Sequence, residues 1–194
     1  MARAWRGVHG VCMVCARRVH GVCVCMCTCL LAYARRRHTG PATLWIRALQ
    51  PYGPTRAALC IPQAIAHLEA IRAVRSITRV HVWGRNRARA AAVAAAAAAL
   101  VGVPVRVCET AREAVSEADI VCTLTSAQAP VLEGAWLKPG AHVNAVGACT
   151  PLHRELDTAA VRRSRVIVDT MTACLTEPGD LVTPPVYTVG PPPV

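Results

Sequence analysis

The sequence predicts an α/β fold, in which a mostly parallel, Rossmann-like sheet is flanked by helices. From residue 56 onward, short apolar runs alternate with stretches of helical character, and such alternation is typical of βαβ units with parallel strands. The stretch 63–74 repeats apolar residues at helical spacing. The stretch 87–100 is almost pure alanine, which is the strongest helix former.

The elements follow in order along the chain. The apolar run 57–61 has strand length, and Pro62 suits the first turn of the helix 63–74. The remaining predicted elements are strand 80–83, helix 87–100, strand 103–107, helix 110–116, strand 120–124, strand 141–146 after the turn at Lys138-Pro139-Gly140, helix 155–162 and strand 165–169.

The chain divides into three predicted parts. A length of 194 residues allows one ordinary core and leaves little room for two full domains. Residues 1–54 form a Cys- and Arg-rich, low-complexity segment that we expect to be disordered. Residues 55–180 form the Rossmann-like domain, and 181–194 form a proline-rich tail that we expect not to pack.

The positive charge belongs to the N-terminal segment. The net charge is +11, but residues 1–58 carry nine arginines and no Asp or Glu, so the rest of the chain is near +2. The predicted globular part therefore gives no case for binding nucleic acid.

The cysteines and the apolar stretch near the N-terminus allow two alternatives. Four alternating thiols offer soft ligands for copper or zinc, although no Cys/His pair follows at a structural-zinc distance: Cys23, Cys25, Cys27 and Cys29. The apolar stretch 19–33 is too short to span a membrane. We expect neither a metal nor a membrane. The five cysteines after residue 30 are scattered singly, which is typical of a reducing, cytoplasmic location.

Three motifs mark the carboxyl ends of the predicted strands. The turn Gly84-Arg85-Asn86-Arg87 has no acidic residue for a ribose and offers arginines to a 2′-phosphate. Solvated arginines at the start of a helix are an equally good interpretation of that turn. The other two motifs contain Thr123 and Thr125 after one strand, and Asn144, Val146 and Gly147 at the end of the next.

These motifs, with the stretch ADIVCTLTSAQAPVLEGAWLKPGAHVNAVGACTPLHRELD at 118–157, resemble the ornithine cyclodeaminase/mu-crystallin family over about residues 56–180. The resemblance is strongest to its mu-crystallin branch. It implies an NADPH-dependent reductase that transfers hydride to the C=N bond of a small cyclic ketimine. The family resemblance implies that Arg85, Asn86 and Arg87 meet the adenosine phosphate, and that Thr123, Thr125, Asn144, Val146 and Gly147 meet the nicotinamide end.

The resemblance also implies a substrate position at Cys149 and Thr150. Cyclodeaminases carry an Asp here and the mu-crystallin branch does not, which favours imine reduction. Cys149 as a nucleophile is a further hypothesis, but no base is placed to activate it.

Two features of the family lack a counterpart. Its phosphate turn reads about G-A-G-x-Q-A, whereas here Leu59-Cys60-Ile61 leads directly into Pro62-Gln63. Without glycine, and without an N–H on Pro62, we expect weak cofactor binding. The substrate and dimerisation domain, which makes the family homodimeric and supplies a catalytic lysine, has no match, so catalytic residues stay unassigned.

We therefore expect a truncated, weakly active or inactive ketimine reductase domain. The family's thyroid-hormone binding implies an NADPH-regulated hormone carrier as an alternative. A third hypothesis is an inactive Rossmann domain that acts only by associating with other proteins.

Overall fold

The computed structural model describes residues 11–15, 18–19, 22–23, 42–47, 60–168 and 171–183. Side chains are described within 63–168 and 171–183. The strands are β1 Val11–Cys15, β2 Arg18–Val19, β3 Val22–Cys23, β4 Ala42–Arg47, β5 Ile77–Trp83, β6 Val105–Val107, β7 Ile120–Thr123, β8 His142–Ala145 and β9 Ser164–Val168. The helices are α1 Cys60–Arg72, α2 Arg87–Val101, α3 Ala111–Val115, α4 Thr158–Arg162, α5 Met171–Cys174 and α6 Gly179–Val182, and a 3-10 turn spans Gly134–Trp136.

A parallel sheet of seven strands organises these elements in the order β6-β5-β4-β7-β8-β1-β9. β4 is an interior strand, in which Leu44 is opposite Val80 of β5 on one side and Ile120 of β7 on the other. The chain proceeds from β4 outward to β6 and then returns to β7 on the opposite side of β4. This reversal is the topological switch point of a doubly wound fold, so the predicted Rossmann-like sheet is confirmed.

The predicted strand 57–61 is wrong, because Cys60 and Ile61 belong to helix α1. A short apolar run does not by itself distinguish a strand from a buried helix segment. Pro62 is the third residue of α1 and lies in its first turn, where its missing N–H breaks no helical hydrogen bond. The strand that precedes α1 is β4, which is joined to it by residues 48–59.

Within residues 1–54, for which the sequence predicts disorder, the structure describes strands β1 and β4 as parts of the main sheet. The sequence of β4, ATLWIR, contains the β-branched and aromatic residues that fit a strand. At the other end, Leu181 lies in the predicted tail but is buried, with 6% of its surface exposed. The three-part division otherwise stays a prediction.

The other predicted elements are confirmed with shifted ends. Helix α2 begins after Asn86, whose side chain accepts a hydrogen bond from the Arg89 N–H, and ends at Gly102 with a φ of 64°. Helix α4 begins at Thr158, later than predicted, because the Asp157 side chain caps it by accepting from the Ala160 N–H. Residues just before this cap form an extended segment, which pairs through Leu156 with Leu132.

Two apolar layers cover the two faces of the sheet. One layer joins α1 and α2 to β5 and to alternate residues of β7, and the other joins α3 and α4 to the intervening residues of β7 and to β8. The largest fully buried apolar side chains are Leu68, Ile71, Ile120, Leu124, Leu132 and Leu156.

Within the described ranges, no helix is long and apolar enough to cross a membrane. The described side chains also contain no cluster of three metal-ligating residues. The predicted alternatives at Cys23–Cys29 and at 19–33 concern side chains outside the described residues.

Candidate functional site

The candidate site lies at the carboxyl edge of the sheet, beside the switch point between β4 and β7. In open α/β sheets, ligands bind in the crevice outside this edge. The loops that leave β5, β7 and β8 all begin there. The fold therefore brings the three motifs predicted from the sequence to one edge.

The turn after β5 is held by contacts within the protein. Asn86 Oδ1 accepts a hydrogen bond from the Arg89 N–H at 3.0 Å, which caps α2. The Arg87 guanidinium pairs with both carboxylate oxygens of Glu109, and its Nη2 lies 2.6 Å from Oε1. This pairing raises the pKa of Arg87. Arg85 is exposed and follows the buried Gly84.

The exits of β7 and β8 lie side by side. The Val146 N–H donates to the Thr123 carbonyl at 3.0 Å, which extends the pairing of the two strands beyond their ends. Thr123 and Thr125 are both buried, and Thr125 Oγ1 accepts from the Ala127 N–H at 3.1 Å. Two of the predicted contact loops are thus fixed against each other.

Gly147 is required by this contact. A Cβ atom there would lie 1.8 Å from the carbonyl oxygen of Thr125 and 2.6 Å from the carboxyl carbon of Glu155. Both distances are far below van der Waals contact. The sequence predicted that this glycine admits the nicotinamide, and the structure gives it a further role in the packing of two protein loops.

Asn144 and Val146 direct their side chains into the protein. A hydrogen bond of 2.9 Å joins Asn144 Oδ1 to His142 Nε2, and Asn144 Nδ2 donates to Cys122 Sγ at 3.6 Å. Burial raises the pKa of the Cys122 thiol to about 12. Val146 packs in the apolar layer beneath α1 and α2. Near the edge these two residues therefore offer backbone atoms to a ligand.

Cys149 and Thr150 begin the loop after Gly147, and both are half-buried. The Cys149 N–H donates to the Gly147 carbonyl at 2.9 Å. The Thr150 carbonyl accepts from the N–H groups of His153 and Gly179, at 3.0 and 3.1 Å. Helix α6 therefore supports the predicted substrate loop from behind.

Glu155 is a site residue that the sequence did not reveal. Its side chain is fully buried, and it accepts hydrogen bonds from the Thr125 N–H at 2.5 Å and from the Gly147 N–H at 2.8 Å. Burial raises the pKa of its carboxyl group, while the hydrogen bonds from Thr125 and Gly147 act in the opposite direction. The sequence signal that could have located Glu155 is Asp157. If Asp157 is recognised as a helix cap, the helix begins after it and Glu155 lies outside the helix.

Asp180 of α6 forms a second buried carboxyl group behind Glu155. Its Oδ1 accepts from the backbone N–H of Glu155 at 2.7 Å and of Leu156 at 2.9 Å. Burial, followed by the nearby charge of Glu155, raises the pKa of Asp180 to about 8.

Known proteins are similar in sequence to the part of the chain that forms this site. Residues 59–188 match the model of the ornithine cyclodeaminase/mu-crystallin family, so β4 lies before the matched region. The ketimine reductase mu-crystallin of Macropus fuliginosus is 36% identical over 151 residues, or 76% of this chain and 46% of that protein. A Delta(1)-pyrroline-2-carboxylate reductase of Bacillus cereus is 40% identical over 131 residues, or 65% and 40%.

The fold is also found in solved structures. The Thermococcus litoralis Delta(1)-pyrroline-2-carboxylate reductase, solved in complex with NADH and L-proline, superimposes with a TM-score of 0.65 at 28% identity. The match covers 82% of this chain and 46% of that one. The chain spans about half the length of the curated ketimine reductases it matches. It belongs to the ornithine cyclodeaminase/mu-crystallin family.

Proposed function

We propose that this chain provides the cofactor-binding half of an NAD(P)H-dependent reductase of small cyclic imino acids. The observation that carries the proposal is the contact of the β7 and β8 exits at the switch point, where Gly147 packs against Thr125. Support also comes from relatives named ketimine reductase and pyrroline-carboxylate reductase.

The described residues divide the binding work between the two ends of a dinucleotide. Arg85 and the turn at Asn86 would hold the adenosine end, and the backbone around Thr125 and Gly147 would hold the nicotinamide end. When bound, a reduced nicotinamide supplies the hydride that reduces a C=N bond. We assign the groups that hold the substrate carboxylate and supply the proton to protein outside residues 59–188.

The phosphate-binding turn is proposed to lie in residues 48–59, because this stretch of the sequence joins β4, beside the switch point, to α1. Its sequence, ALQPYGPTRAAL, contains Gly53 and Arg56. The expected weakness of cofactor binding was based on a direct passage from strand into Pro62, and that strand prediction is wrong. We therefore expect measurable binding.

NADPH is proposed as the preferred cofactor. The turn after β5 contains no acidic residue to accept from a ribose 2′-hydroxyl, and Arg85 is exposed beside it. Arg85 directly follows the last buried residue of this strand exit, Gly84, and is proposed as the principal group for a 2′-phosphate. We expect Arg85→Ala to weaken NADPH binding by roughly tenfold while NADH binding stays unchanged, since one charge-assisted phosphate contact is lost. Arg112→Ala removes an exposed arginine on α3 and is the matched control.

The proposal is tested by titrating NADPH and NADH into the purified chain while recording tryptophan fluorescence and melting temperature. Saturable binding of NADPH supports it. The proposal fails if neither nucleotide binds at millimolar concentration. Turnover of a cyclic imino acid is expected to be weak for this chain alone, because it spans only part of its relatives.

We further propose a cytoplasmic location, supported by the free thiols of the described cysteines Cys108, Cys122, Cys149 and Cys174. Fractionation of cells that express the tagged chain tests it. Thyroid-hormone binding and homodimer formation rest on the family resemblance and stay predictions.

A further inference from the structure

A single buried carboxylate joins the two loops at the proposed nicotinamide end. One oxygen of Glu155 accepts the N–H of Thr125 from the β7 exit, and the other accepts the N–H of Gly147 from the β8 exit. The β7–β8 ladder ends before these amides: its last pair of opposite residues is Thr123 and Ala145, followed by the bond from Val146 to Thr123. Glu155 therefore continues the connection of the two loops where strand pairing stops.

The two N–H groups that face the Glu155 side chain each require a hydrogen-bond acceptor. A carboxylate has two oxygens that only accept, so it satisfies two facing N–H groups at once. A glutamine side chain has one accepting oxygen, and its amide nitrogen would face an N–H donor. The substitution Glu155→Gln thus changes few atoms and removes one of the two bonds.

The backbone of Glu155 is also held in place. The backbone N–H groups of Glu155 and Leu156 both donate to Asp180 Oδ1. The Glu155 carbonyl accepts from the N–H groups of Val131 and Leu132, at 2.7 and 2.9 Å. The backbone of Glu155 is fixed on two sides, so its side chain is a rigid support.

We propose that Glu155 is a positioning residue that sets the spacing of the Thr125 and Gly147 loops and thereby shapes the nicotinamide end of the cofactor site. This inference rests on the proposed function for the identity of the ligand. The link that Glu155 forms between the Thr125 and Gly147 loops, called the clamp below, is a property of the protein alone. It is therefore tested separately from the proposed function.

The first measurement needs no ligand. Amide exchange by NMR is compared between the wild type, Glu155→Gln and the control Glu133→Gln, which makes the same change on an exposed side chain without a capping bond. We expect exchange at Thr125 or Gly147 to accelerate at least about tenfold in E155Q, because a buried hydrogen bond to a charged group is lost. Amides within β7 and β8 should keep the wild-type rate.

The second measurement separates the two ends of the cofactor. NADPH and its adenosine half, 2′,5′-ADP, are titrated into each variant. We expect E155Q to bind NADPH roughly tenfold more weakly and 2′,5′-ADP as tightly as the wild type, since one positioning bond is removed at the other end. A merely structural defect would weaken both ligands equally.

The outcomes decide between the two ideas. Unchanged exchange at both amides in E155Q overturns the clamp, and equal losses for both ligands overturn its role in the site. If the wild type binds neither ligand, the proposed function fails, and amide exchange alone decides whether Glu155 spaces the loops. If E155Q does not fold, fast wild-type exchange at Thr125 and Gly147 overturns the clamp, and exchange as slow as in β7 and β8 supports it.

Discussion

Replacing Gly147 by alanine tests the contact between the β7 and β8 exits. The added Cβ would lie 1.8 Å from the Thr125 carbonyl oxygen and 2.4 Å from the Thr125 nitrogen. Both atoms belong to backbone that is held by the sheet and by Glu155, so neither loop moves without breaking hydrogen bonds. The strain therefore comes from collision, because Gly147 is not among the glycines with positive φ.

The magnitude follows from that rigidity. Overpacking a well-ordered interior costs about 1–3 kcal/mol, and the loss of a Glu155 hydrogen bond adds to it. We expect a loss of about 3 kcal/mol, which lowers the melting temperature of a chain of this size by roughly 6–12 °C.

A matched control separates collision from backbone conformation. Gly140 has a φ of 80° and no heavy atom within 4 Å of where an added methyl group would lie, so Gly140→Ala introduces backbone strain alone. That strain costs about 1–2 kcal/mol. Urea denaturation of both variants gives the two free energies of unfolding. A Gly147→Ala variant as stable as Gly140→Ala would refute the packing argument.

Three other substitutions or treatments test separate features. The Asp180 carboxyl has a folded-state pKa of about 8, above its ordinary 3.8, so its contribution to stability is complete at low pH and is lost as pH rises through about 8. Asp180→Asn should remove this decline in urea titrations between about pH 4 and 8, and an unchanged decline would assign it to another group. Cys122 should resist iodoacetamide in the native protein while Cys149 reacts, as read by peptide mass spectrometry, because Cys122 is fully buried with a raised pKa whereas Cys149 is half-buried; early labelling of Cys122 would contradict its burial. Asn86→Ala should lower the free energy of unfolding by about 1 kcal/mol through loss of the α2 cap, and no change would show that the cap is dispensable.

Elements with a strong local signal were predictable from the sequence. The alanine-rich α2 has a high helix propensity, and the helix at Leu68 and Ile71 has apolar periodicity, each within one short window. The strand at 42–47 was missed because its identity depends on partners far along the chain, as in the pairing of Leu44 with Val80 and Ile120. The Cys- and Arg-rich sequence around this strand predicted disorder instead.

The candidate site was predictable in part for the same reason. The motif at 144–148 located an edge of the sheet correctly, because strand ends and glycines are local signals. The environments of Asn144 and Glu155 were not predictable, since they depend on contacts with Cys122 and Thr125 from another strand. A side chain that leaves one loop to support another has no periodic signature.

The interior place of β4 in the sheet affects how the protein is made. On the ribosome this strand is synthesised well before β5 and long before β7, the two strands that flank it in the finished sheet. Until both arrive, its backbone groups lack their final partners on either side, and long-range pairing of this kind is slow to form. The nascent chain thus carries an unsatisfied strand that chaperones can bind and that other chains can join.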